Sequence, residues 1–85
     1  MLELQLNIRA AEALAVCGRR GLVVVSHREL AGRPGSHHWH VRMPGPPGTL
    51  ELNEWEGRAW VRVHPLREGT WVSEFAHELA RVEGQ

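Results

Sequence analysis

The sequence predicts a single small α+β domain spanning residues 1–85: an antiparallel sheet of four to five strands with two helices on one face, in the order (β)αββββα. Three observations carry this expectation. A chain of 85 residues buries only about 60–65% of its unfolded surface, enough for one modest core and poorly suited to a deep active-site cavity. An Ala-rich stretch near the N-terminus reads as a helix, and apolar residues recur at helical spacing near the C-terminus. Between those stretches the periodicity falls to two, and Glu56-Gly57 sits where a hairpin turn belongs.

Taken in order, Leu2, Leu4, Leu6 and Ile8 alternate with Glu3, Gln5 and Asn7. That pattern suggests an edge strand, although the same residues are good helix formers. From about Arg9 to Arg19 the chain is Ala-rich, and Gly18 or Gly21 can close a helix there. Gly21 to His27 reads GLVVVSH, whose three consecutive Val residues favour a central strand. The stretch Arg28 to Gly35 holds Gly32, Pro34 and Gly35 and reads as a loop. A strand from about Ser36 to Met43 puts His37, Trp39, Val41 and Met43 on one face and Ser36, His38, His40 and Arg42 on the other.

The segment PGPPG, Pro44 to Gly48, cannot continue a ladder and forms a turn. TLELNEW and RAWVRVH then flank Glu56-Gly57. A two-residue turn there pairs Trp55 with Arg58, Leu52 with Val61, Leu50 with Val63, and Glu51 with Arg62. Apolar residues meet on one side, and an opposite-charge pair worth about 0.2–1 kcal/mol meets on the other. The outer face then carries Thr49, Glu51, Asn53, Trp55, Trp60, Arg62 and His64. After Pro65, Thr70 is a candidate N-cap, and Trp71, Val72, Phe75, Ala76, Leu79 and Val82 recur at helical spacing. Ser73, Glu74, His77, Glu78 and Arg81 face water.

Composition narrows the chemistry. All ten basic residues are Arg and all ten acidic residues are Glu, with no Lys, Asp or Tyr, as expected of GC-rich coding and of a thermophile. Lysine Schiff-base and lysine–phosphate chemistry are thereby removed, leaving His, Glu and Arg as the reactive inventory. Zero net charge gives no global field to attract a polyanion, so any nucleic-acid binding is local. No run approaches the roughly 18 apolar residues of a membrane span. The start MLELQLNIRA lacks the basic and continuous apolar regions of a signal peptide, so a cytoplasmic protein without a membrane partner is expected. Cys17 is the only cysteine and cannot form an internal disulfide; its apolar helical setting marks a buried structural thiol rather than a nucleophile.

Chemically capable side chains concentrate in PGSHHWHVRM, Pro34 to Met43. With both helices on the apolar face, the opposite face offers His38, His40, Arg42, Trp55, Trp60, Arg62 and His64. Exposed Trp beside Arg and His is a composition that stacks bases and contacts phosphates, which makes these seven the candidate RNA-binding residues. The same Trp residues serve equally well in packing against the N-terminal strand, a loop or a second subunit. His38 and His40 project from one face two residues apart, His64 can join them, and Glu51 can orient a ligand, a set that would make an open zinc site. Arg42 beside it disfavours a divalent cation, so neither metal nor cofactor is expected.

The order of a helix, a Gly, a Val-rich strand, GSHH opening a strand that ends in Arg, and later VHPLREGTWVSEFAHELA resembles the HicA type of toxin, a small mRNA interferase of bacteria paired with a HicB antitoxin. The similarity covers roughly residues 9 to 82, and its specific parts are Gly35-Ser36-His37, Val63-His64-Pro65 and Gly69-Thr70. The resemblance implies a double-stranded-RNA-binding-like fold and matches His37 to the catalytic histidine that acts on the phosphodiester without a metal. Such a histidine can take the ribose 2′-OH proton or donate one to the leaving oxygen. Arg42 or Arg62 would neutralise the phosphorane. The chain adds to the family pattern a strand around Thr49 to Trp55 and one at the N-terminus. Two readings stand: a HicA-like ribonuclease with RNA and an antitoxin as partners, and a non-catalytic binding or assembly module whose open sheet face meets another protein or a second copy of the chain.

Overall fold

The computed structural model describes residues 1–67 and 69–84. They form an α+β domain with β1 (Leu2–Gln5), α1 (Ala10–Arg19), β2 (Val23–Arg28), β3 (His37–Arg42), β4 (Leu50–Trp55), β5 (Arg58–Val63), a 3-10 turn (Pro65–Arg67) and α2 (Val72–Ala80). The strands make one antiparallel sheet in the order β1-β5-β4-β3-β2. Both helices lie on one face, α2 against β1 and β5 and α1 against β4. No helix among the described residues is long and apolar enough to cross a membrane.

The core is the apolar half of each alternation. Leu50 and Leu52 of β4, Val41 of β3, Val61 of β5 and Leu79 and Val72 of α2 are essentially sealed from solvent, each contributing about 1.5–3 kcal/mol of transfer free energy. Cys17 joins them from α1, and burial pushes its thiol up to about 11, which keeps it protonated and inert near neutrality.

Local chemistry explains the element ends. Gly21, at φ +80°, closes α1: its own N–H bonds the Gly18 carbonyl at 3.0 Å and the Leu22 N–H bonds the Cys17 carbonyl at 2.9 Å, the paired bonds of a Schellman motif. Glu56 and Gly57 both take positive φ (50° and 80°), the geometry of a type I′ turn whose twist matches its strands. The resulting register includes Leu52 opposite Val61, Glu51 opposite Arg62 and Trp55 opposite Arg58, as the pattern predicts. The first strand is an edge strand on β5.

Two expectations are corrected. The Val-rich strand is an edge strand, not a central one: α1 crosses from β1 at one edge to β2 at the other, leaving β2 paired only with β3. Val23, Val24 and Val25 are consequently about half exposed, at 47%, 47% and 54%. Thr70 is not the N-cap of the last helix. Trp71 holds that position without a side-chain cap, and its indole Nε1–H instead donates to the Pro47 carbonyl at 3.0 Å, fastening the helix start to the proline-rich turn.

Candidate functional site

Alternation along β3 sends its histidines to both faces of the sheet. On the helix side, near the end of the β2–β3 pair, His27 and His37 come together: Nε2 of His27 lies 2.8 Å from Nδ1 of His37. Both rings stack on buried Trp39, at 4.8 and 5.3 Å between centroids and within 20° of parallel. His37 sits opposite Glu54 in the β3–β4 ladder. Glu54 accepts hydrogen bonds at 3.0 Å from the Ala10 N–H, which opens α1, and from Arg9 Nε. Partial burial pushes the Glu54 carboxyl up, but those two hydrogen bonds and the charges of Arg9 and His37 outweigh it and hold it below the ordinary glutamate range.

The outer face is built around β4. His38 Nδ1 lies 2.5 Å from Asn53 Oδ1, His38 Nε2 lies 2.9 Å from His40 Nε2, and the same Nε2 is 3.8 Å from Glu51 Oε1. Glu51 and Asn53 are buried although they point away from the helices; Asn53 lines a depression with Leu30, Ala31 and Arg33 of the loop before β3. The expected Glu51–Arg62 pair exists in register only. Arg62 turns to Glu3, 3.3 Å away, and to the Met1 sulfur. His64 accepts a hydrogen bond from the Leu66 N–H through Nδ1 and lines the same surface depression as His38, His40 and Glu51. Arg42 is exposed.

The two outer Trp residues pack against a loop. Trp55 Nε1–H donates to the Pro34 carbonyl at 3.2 Å, and the Arg33 guanidinium lies over both rings, 5.1 Å from the Trp55 centroid and 5.9 Å from that of Trp60. Ser36, expected on this open face, is buried and accepts the Leu30 N–H at 2.8 Å, tying the loop down. A flat base-stacking platform is therefore already occupied by Arg33.

The candidate residues thus fall into two groups. His38, His40, Arg42, Trp55, Trp60, Arg62 and His64 share the outer face, and His37 belongs to the other. Neither Arg42 nor Arg62 is brought to His37; Arg9 is held on its side by Glu54, the cross-strand neighbour of His37. Sequence reasoning missed His27, Arg9 and Glu54. His27 reaches His37 because of a bulge between Val24 and Ser26, which shifts the strand's phase by one residue and turns His27 to the helix side. Compared with protein-family models, with curated proteins and with solved structures, the chain finds no match, so its residues and geometry carry the functional argument.

Proposed function

We propose that the chain is a small HicA-like endoribonuclease that cleaves RNA without a metal, with His37 moving the proton and His27 setting its tautomer. The observation that carries this reading is the 2.8 Å contact between His27 Nε2 and His37 Nδ1, on the GSH segment that resembles the toxin motif. When the shared proton sits on His37 Nδ1, its Nε2 has a lone pair and can take the proton of a ribose 2′-OH. The 2′-oxygen then bonds phosphorus, the P–O5′ bond breaks, and the proton held on His37 Nε2 passes to the departing 5′-oxygen. Products are a 2′,3′-cyclic phosphate and a 5′-hydroxyl. Arg9, 63% exposed along its side chain and held by Glu54 on this side of the sheet, supplies positive charge for the phosphorane. A HicB-like antitoxin is the protein partner this reading brings with it.

Purified protein incubated with a long single-stranded RNA in EDTA is expected to yield cyclic-phosphate ends. His37→Ala should lower the rate by about 100-fold or more, and His27→Ala by a smaller factor. Absence of cleavage by wild type, or equal cleavage by His37→Ala, overturns the proposal.

A second reading, an assembly module, is favoured by one observation: the half-exposed Val23–Val25 run on the open edge of β2. An unpaired apolar edge is a template for strand pairing between copies. Light scattering that shows a concentration-dependent dimer, abolished by Val24→Lys, together with no RNA cleavage, would select it.

A further inference from the structure

We propose that His38, His40 and Glu51 form a binding site for a divalent transition cation of the zinc type, with one coordination position open to the surface. The site lies on the face opposite His37, and the inference does not rest on the ribonuclease reading.

Strand geometry assembles the donors. His38 and His40, two apart on β3, share a face, and Glu51 is the direct cross-strand neighbour of His40. One ligand atom from each of the three lies within 4.8 Å of the other two. Tautomer logic then orients His38. The Asn53 amide oxygen only accepts, so His38 Nδ1 carries the proton at that 2.5 Å contact, and in the neutral ring Nε2 presents a lone pair toward His40 Nε2 and Glu51. An imidazole fixed through its far nitrogen in this way is the usual support of a metal-ligating histidine.

Two of the three donor separations bracket those expected around a cation at the centre. Tetrahedral bonds of about 2.0–2.1 Å place ligand atoms about 3.3–3.4 Å apart, between the 2.9 Å of the two imidazoles and the 3.8 Å from His38 to Glu51. Charge agrees as well. Glu51 is only 8% exposed, and its cross-strand Arg62 is engaged with Glu3. A buried carboxylate needs a positive charge nearby. Two neutral imidazoles and one carboxylate satisfy a borderline divalent ion, and three protein ligands leave a fourth position for water or an anion. That position faces a depression of about 600 Å³ bordered by Val25, Ser26, Arg28, His64 and Leu66. Arg42, the charge that argued against a cation, is exposed and screened by solvent. The rival arrangement is a proton shared among the same three groups, which needs no metal.

Calorimetric titration of the metal-stripped full chain with Zn²⁺ at neutral pH decides between them. The expected result is one ion per chain at micromolar affinity or tighter, weakening as pH falls through the histidine range because binding displaces protons. Glu51→Gln should weaken binding at least tenfold and His38→Ala/His40→Ala should abolish it, while His37→Ala and the solvent-facing His77→Ala leave it unchanged. Co²⁺ added to wild type should give the intense visible spectrum of a tetrahedral N/O site, a readout that does not depend on how well the variants fold. No zinc uptake by wild type, a weak octahedral cobalt spectrum, or undiminished uptake by the folded double variant would each overturn the proposal.

Discussion

The carboxylate of Glu54 meets the first N–H of α1 and the Arg9 guanidinium while lying in register with His37. Because Arg9 provides no side-chain cap, Glu54 does the work of one, and it stands at the positive end of the helix dipole. Near neutral pH, Glu54→Gln should cost about 1 kcal/mol in denaturant unfolding. The sign of the pH effect follows from the lowered carboxyl: ionised Glu54 stabilises the fold fully above the ordinary glutamate range, and that contribution disappears as pH falls through the lower folded value. Wild type and Glu54→Gln should therefore converge in stability in strong acid; a constant gap would refute the role. Single residues were unevenly legible in the sequence. The opposite facing of His37 and His38 follows from alternation alone. The part played by Glu54 does not, because cap and helix are 44 residues apart and no local pattern joins them.

At the scale of elements, legibility followed locality. The β4–β5 register was readable because Glu56-Gly57 and the apolar alternation are both local signals. The position of β2 in the sheet was not, since three Val residues state a preference for strand but not which neighbours the strand has. The start of α2 was misread for a related reason: Trp71 docks on Pro47, a tertiary contact that overrides a nearby Thr. The same docking leaves no room for side chains at two glycines. A Cβ on Gly69 would overlap the Pro47 carbonyl, and one on Gly48, where φ is +122°, would come within 2.6 Å of Val72. Gly69→Ala should cost about 2 kcal/mol or more, a fall in melting temperature of roughly 10 °C for a domain of this size. A change under a few degrees would mean that the turn is free to move away.

For the whole molecule, the sheet acts as a partition. His37, His27 and Trp39 lie on one side of it and His38, His40 and Glu51 on the other, so substitutions on the two faces should act independently. RNA cleavage in EDTA should be unchanged in Glu51→Gln, and zinc affinity unchanged in His37→Ala; strong cross-effects would show that the faces communicate through β3. The sequence revealed the partition through its period of two. What it could not show is that the outer face is partly closed by its own loop, because the Arg33 contacts to Trp55 and Trp60 depend on how residues 29–36 turn back.

The strand order β1-β5-β4-β3-β2 also divides the domain in time. From β2 to β5 each strand pairs with its successor in sequence, so that meander needs only short loops to close. β1 instead pairs with the last strand, joining Leu2 to Val63 across most of the chain, a closure that is entropically dearer and comes late. Folding kinetics should separate the two. Leu52→Ala, in the centre of the meander, should slow refolding, whereas Leu4→Ala should leave the refolding rate nearly untouched and accelerate unfolding. In hydrogen exchange, the amides of β1 should then open well before those of β4, making the N-terminal strand the latch of the domain and β4 its last remaining seam.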